Sequence, residues 1–232
     1  MKKLFDARMR IYSVGLVISS AMERIITSVI NEHIELGLIQ YHVLSLVLLT
    51  VLFILNNILL MSLSQKEFIK KMILGKKYIG GLWIEVVINE NDQISHITKI
   101  EITYDNDIIN VHGDCYVDGE HSYYFDSVCS VMENHKLSYF FIAQDPNGMR
   151  DDIGYLNFDP NSKKLDKYSG YYEDKGMKFR IRAIKIENKL LKNKVNYCFN
   201  ESLKEILPEL KKRHGCKFSI PDFINSLDKD NM

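Results

Sequence analysis

Three hydrophobic patterns follow one another along the chain. The clearest is Tyr41–Leu63, a run of 23 residues without a charge, with the core Val43-Leu44-Ser45-Leu46-Val47-Leu48-Leu49-Thr50-Val51-Leu52-Phe53-Ile54-Leu55. At about 1.5 Å per residue it spans roughly 34 Å as a helix, enough for the hydrocarbon core of a bilayer. Asn56 and Asn57 interrupt it, and polar groups at such depth face another helix more often than lipid. Ile11–Ile30 is a second run of spanning length, but it contains Glu23 and Arg24. Each charge costs about 3 kcal/mol at a bilayer centre. In this run the pair falls toward the outer third, where it can snorkel, meet polar groups of the second helix or line the interior of an oligomer. If the first run merely lies on the surface, one helix spans. No small-residue cleavage site follows it, which argues for an anchor rather than a signal peptide.

From Tyr78 to about Glu187 the period changes to two. Tyr, Phe, Ile and Val alternate with polar residues, and short turn clusters recur at regular intervals, the mark of a sandwich or barrel. The pattern predicts strands at Tyr78–Ile88, Gln93–Tyr104, Ile108–Val117, Ser122–Met132, Leu137–Gln144, Asp152–Phe158, Leu165–Tyr172 and Met177–Glu187. Asp118-Gly119 is the strongest hairpin signal among the turns. Because every connection is short, neighbours pair antiparallel, and eight such strands lose their exposed edges only by closing. The predicted fold is therefore a membrane α-helical hairpin of two N-terminal transmembrane helices, then an eight-stranded up-and-down antiparallel β-barrel, then a C-terminal helical segment. Asn110, His112, Tyr123, Ser127 and Tyr155 are the polar residues expected to face a barrel cavity.

The third pattern is helical. Leu203, Ile206, Leu207 and Leu210 recur at helical spacing after Asn200, the expected N-cap. Lys211-Lys212-Arg213-His214-Gly215 reads as a helix C-terminus, with cations at the negative end of the dipole and then glycine. Pro208 is a candidate kink. This helix is expected to pack on the barrel or on a partner subunit, with a basic membrane-surface helix as the alternative. The tail from Asp228 is expected to be disordered. The expected division is 1–65 for the anchor, 76–190 for the barrel and 191–232 for the helical extension.

Charge fixes orientation and excludes one class of partner. Lysine plus arginine and aspartate plus glutamate number 30 each, so the chain lacks the basic excess of a DNA or RNA polymer binder. Lys2, Lys3, Arg8 and Arg10 precede the first run and Lys66, Lys70, Lys71, Lys76 and Lys77 follow the second, whereas the connecting loop has no lysine or arginine. The positive-inside rule then places both termini and the soluble part in the cytoplasm. The four cysteines, at 115, 129, 198 and 216, form no Cys-x-x-Cys pair and read as reduced structural thiols.

No catalytic string is present: no Gly-x-Ser-x-Gly, no phosphate loop, no His-Glu-x-x-His. The chain is read as a non-enzyme without a cofactor or metal. His112 and Cys115 are three apart on one strand, hence on opposite faces, and Asp151-Asp152 reads as a solvated turn. Two features carry more. Trp83, the one tryptophan, follows Gly81-Leu82 in the opening strand, where it can plug one end of a small barrel beneath Arg180 or Arg182 from the last strand. Aromatic residues also recur at alternate positions: Tyr123, Phe125, Tyr139, Phe141, Tyr155 and Tyr172. Those at an open mouth can stack on nucleobases, with arginine meeting phosphate. The candidate ligand-binding set is Tyr123, Ser127, Tyr139, Tyr155, Tyr172, Arg180 and Arg182.

Together the hairpin, Tyr78-Ile79-Gly80-Gly81-Leu82-Trp83, Leu137-Ser138-Tyr139-Phe140-Phe141, Gly154-Tyr155-Leu156-Asn157-Phe158 and Ser169-Gly170-Tyr171-Tyr172 resemble a family. It is the two-transmembrane, β-strand-rich effectors of CBASS antiphage defence, whose soluble part is a lipocalin-like barrel. The resemblance covers about Met1 to Lys189. It implies a bacterial inner-membrane protein whose barrel binds a cyclic oligonucleotide, a cyclic dinucleotide in the first instance, made by a partner CD-NTase synthase. It further implies homo-oligomerisation on binding and disruption of the bilayer, killing the infected cell. Glu23, Arg24, Asn56 and Asn57 would be inter-helix contacts in that assembly. The charged pair in the first helix and the length of Leu190–Met232 depart from the family pattern. The competing reading is a membrane-tethered, lipocalin-like carrier or sensor of a small apolar ligand, and a membrane-anchored enzyme is a third.

Overall fold

A computed structural model describes residues 2–33, 37–105, 108–145, 148–159, 164–174, 177–216, 218–219, 221 and 224. The tail from Asp228 and turn residues 106–107, 146–147, 160–163 and 175–176 lie outside these. The chain forms two compact units, residues 1–75 and 76–232.

The first unit is the hairpin. Helices α1 (Lys2–His33) and α2 (Leu38–Gln65) pair antiparallel, and a short helix α3 (Glu67–Leu74) follows. Both long helices are apolar enough to cross a membrane, over Tyr12–Glu32 and Ile39–Leu59, with mean hydropathies of 1.4 and 2.2. The first span centres on Met22, so Glu23 and Arg24 sit near mid-span, deeper than the outer third expected from sequence. One set of small and polar residues of α1 falls at four-residue spacing, one above another on one face. Gly15, Ser19, Glu23 and Thr27 are all buried there. Glu23 accepts a hydrogen bond from the Ser45 hydroxyl. Asn56 Nδ2 donates to Gly15 O at 3.1 Å and to Ser19 Oγ at 2.8 Å. Arg24, one position on, is exposed on the outside of the pair, and Asn57 is half-buried.

The second unit is the barrel with its C-terminal helices. Strands β1 (Gly81–Ile88), β2 (Ile94–Asp105), β3 (Ile108–Val117), β4 (Glu120–Glu133), β5 (Lys136–Asp145), β6 (Gly148–Phe158), β7 (Lys167–Asp174) and β8 (Met177–Lys185) close in sequence order. All neighbours are antiparallel, and β8 returns to pair with β1 from Trp83↔Lys185 to Ile88↔Arg180. Asp118 and Gly119 both take positive φ, 50° and 86°, as the mirror-image hairpin turn demands.

Because strand side chains alternate, β1 has two apolar faces. Trp83 and Val87 point into the barrel core, while Ile84, Val86 and Ile88 join an outer layer. That outer layer explains the C-terminal helices. Helices α4 (Lys189–Tyr197) and α5 (Phe199–His214) bring Val195, Leu203, Ile206, Leu207 and Leu210 against the outer face of β1, β2 and β8. Two sequence expectations are corrected here. Residues 189–197 form a helix the pattern did not predict, capped by Asn188, whose Oδ1 accepts from Leu190 N at 2.9 Å. Asn200 is no N-cap: it lies inside α5 and its Nδ2 donates to Gly119 O at 3.0 Å.

Candidate functional site

The two ends of the barrel differ in chemistry. The chain comes in at the end that carries the β2–β3, β4–β5 and β6–β7 turns. Trp83 closes this end from inside, its Nε1 donating to Ile79 O at 2.9 Å. Its indole packs on Phe158 and Tyr168, at 5.7 and 4.9 Å between ring centroids. Trp83 thus stands at the end where a plug is expected from sequence, and the cation beside it is Lys185, 5.5 Å from the Trp83 ring and 4.8 Å from the Tyr78 ring. Arg180 and Arg182 cannot serve, because on β8 the core-facing positions are Ile181 and Ala183. The arginines alternate to the outer face.

Toward the opposite end, here called the mouth, polar groups gather inside. Glu85, His96, Thr98, Cys115, Tyr123, Tyr139, Arg150, Asp152 and Tyr172 surround a cavity of about 20 Å³. That volume admits about one water, against roughly 300 Å³ for the smallest ordinary ligand pockets. The Arg150 guanidinium lies 4.8 Å from the centroid of the Tyr123 ring. The Tyr123 hydroxyl is 3.3 Å from His96 Nε2. Tyr172 stacks on Phe179 at 5.0 Å, and Thr98 Oγ1 lies 3.4 Å from Cys115 Sγ.

Burial sets the protonation states. Glu85 is 3% exposed, and desolvation pushes its carboxyl up to about 7, against the opposing hydrogen bond from Tyr168. That bond runs from Tyr168 Oη to Glu85 Oε2 at 2.9 Å. Burial, and after it the charge of Arg150, pulls His96 down to about 4. Burial pushes the Cys115 thiol up to about 12 and raises the phenols of Tyr123 and Tyr139. At neutral pH the cluster thus holds a neutral imidazole and a carboxyl near its midpoint, with the Arg150 guanidinium and the Asp152 side chain beside them.

Of the predicted ligand residues, Tyr123, Tyr139 and Tyr172 come together at this cavity. The others do not. Ser127 sits beside the β4 bulge, where its hydroxyl accepts from Val111 N at 2.8 Å. Tyr155 faces outward and stacks on Tyr171 at 5.0 Å. Asn110 and His112 also face outward, since Ile109, Val111 and Cys115 are the inward set of β3. His112 instead bonds Asp126, at 2.8 Å.

Sequence reasoning missed Glu85, His96, Arg150 and Asp152. The signal was parity: Glu85 shares the face of Trp83, and Arg150 and Asp152 share the face of Leu156 and Phe158. Asp152 was read as a solvated turn residue, but only its neighbour Asp151 is exposed.

Arg180 and Arg182 line a different space. A cleft of about 350 Å³ on the barrel's flank is bounded by these two residues, Ile88 and Asp92 on one side and by His214, Gly215, Cys216 and Phe218 on the other. All four cysteines are free thiols. Among the described residues, no group of three His, Cys, Asp or Glu side chains could hold a metal ion.

No protein-family model and no curated protein matches the sequence. Among solved structures, a redesigned β-barrel matches 47% of this chain and 92% of its own length, at 11% identity and a TM-score of 0.38.

Proposed function

We propose that this chain is an effector of CBASS antiphage defence, a non-enzymatic sensor of a cyclic dinucleotide tethered to the bacterial inner membrane. The observation that carries the reading is the convergence of Tyr123, Tyr172 and Arg150 at the mouth of a closed barrel, in a chain that also bears two helices of spanning length. Aromatic faces suit nucleobases and a guanidinium suits the bridging phosphate. With room inside for about one water, the ligand lies across the mouth, with the tyrosine rings as its floor. The lysines flanking the hairpin put both termini and the barrel in the cytoplasm, where a CD-NTase product is made. A ligand that binds the assembled form better shifts the population toward homo-oligomers, and the gathered hairpins then disrupt the bilayer. The apolar-carrier reading fits less well, because the cavity admits about one water and Glu85, His96, Arg150 and Asp152 stand among the aromatic rings that line it.

The test is calorimetric titration of the full chain in non-ionic detergent with cyclic dinucleotides. Arg150→Gln is expected to weaken binding about tenfold or more, the worth of a charge-assisted contact. Absence of saturable binding by the wild type, or equal binding by the variant, overturns the assignment.

A further inference from the structure

The cleft on the barrel's flank has a chemistry of its own. Arg180 and Arg182 are two apart on β8, so both guanidinium groups leave its outer face. The end of α5 brings His214 and Cys216 against them across about 350 Å³. That is within the range of small-molecule pockets. Of the five N–H donors of Arg182, Nη1 bonds the backbone oxygen of Ile181 at 2.8 Å; among the described residues no carboxylate pairs with it. Arg180 is partly committed, to Asp92 Oδ1 at 2.6 Å and Asn89 O at 3.0 Å.

His214 reports the local field. Its Nε2 lies 2.9 Å from Ala183 O, so that nitrogen donates and Nδ1 is the second ring nitrogen. Its pKa is lowered, first by burial and then by the charges of Arg182, Lys167 and Arg213, against the opposing bond to Ala183. Of the carboxylates nearby, Asp92 lies in the cleft wall, paired with Arg180, while Asp166 and Glu209 are held outside it on Arg213 at 3.1 and 2.7 Å. The end of α5 adds the negative pole of its dipole, which the cations of its last turn oppose.

We propose that this cleft is a binding site for a phosphate-bearing ligand, with the planar fork of Arg182 as its main contact and Arg180 and His214 beside it. Guanidinium matches phosphate geometry with paired N–H donors. An anion there neutralises the field around His214 and favours its protonated ring, which supplies one more donor. The phosphate can belong to a soluble small molecule or to a lipid headgroup. The site stands on the outer face of the barrel, shares no lining residue with the mouth cavity, and holds whether or not the mouth takes a nucleotide.

Cys216, half-buried in the cleft, makes the test direct. The full chain in non-ionic detergent is alkylated with a maleimide at constant ionic strength, and each cysteine is followed by peptide mass spectrometry. The probes are pyrophosphate and a short-chain phosphatidic acid, with chloride as the control. Protection of Cys216 severalfold by pyrophosphate assigns a soluble ligand, and protection by the lipid alone assigns a headgroup. Exposed Cys129 is expected to react at an unchanged rate. Arg182→Gln is expected to weaken protection about tenfold. If that variant fails to fold, Arg180→Gln carries the same expectation in lesser degree. The His214 ring, followed by NMR, is expected to titrate at higher pH with the protecting probe present. No protection by either probe, or undiminished protection of the folded variants, overturns the site.

Discussion

Glu85 and His96 are buried inside the barrel with opposite consequences for stability. Glu85 rises from 4.5 to about 7 on folding. Between those values the folded state binds the extra proton, so stability falls as pH rises and stays lowered above about 7. His96 falls from 6.5 to about 4. There the unfolded state binds the extra proton, so stability rises with pH through that window. Each shift is worth about 3 kcal/mol, and the windows overlap, so in the wild type the two slopes nearly offset. Replacing one exposes the other. Relative to the wild type, Glu85→Gln, which keeps an acceptor for Tyr168, is expected to gain stability steadily from about pH 4.5 to pH 7. On the same scale His96→Gln is expected to lose it from about pH 4 to pH 6.5. Thermal melts of the full chain across this range, each referred to the wild type, check both signs. Difference curves that stay flat would mean that water reaches the two groups and that the cluster is not dry.

At the scale of elements, the β pattern was legible because closure leaves few choices. All eight strands and the hairpin at Asp118-Gly119 follow from alternation and turn chemistry. Facing was harder to read. Asn110, His112 and Tyr155 were expected inward because a ligand barrel invites polar residues inside, yet the apolar parity of Ile109, Val111 and Cys115 decides β3. Helix α4 escaped because KLLKNKVNY carries few apolar residues; its buried contact is Val195. The apolar outer residues of β1 and β8 were the sign that something covers that flank. Leu207 is 0% exposed in this layer. Leu207→Ala leaves a cavity between α5 and the sheet and is expected to cost about 2–5 kcal/mol, read as a lower denaturant midpoint. A loss below about 1 kcal/mol would show that α5 is loosely held, since surface changes have effects of that size.

At the scale of the whole molecule, the proposed function asks the chain both to bind a ligand and to act in a membrane, and Arg24 is where the second can be tested. Glu23 and Asn56 are satisfied within one hairpin, by Ser45 and by Ser19 with Gly15. Arg24 is exposed on the outside of the pair, near the middle of a helix long enough to span. In lipid such a charge costs about 3 kcal/mol, and a neighbouring copy offers relief that a lone hairpin does not. If self-association draws on that relief, removing the charge weakens the assembly about 100-fold. Arg24→Leu is therefore expected to insert at least as well as the wild type and to bind a cyclic dinucleotide equally. It should form fewer cross-linked oligomers on ligand addition and spare cells that co-express an active CD-NTase. Glu23→Gln, which keeps the hydrogen bond to Ser45, separates the two roles: the hairpin survives and killing persists. Killing by Arg24→Leu at the wild-type level would instead make Arg24 a snorkelling residue that meets headgroups, and the contacts between copies would have to lie elsewhere.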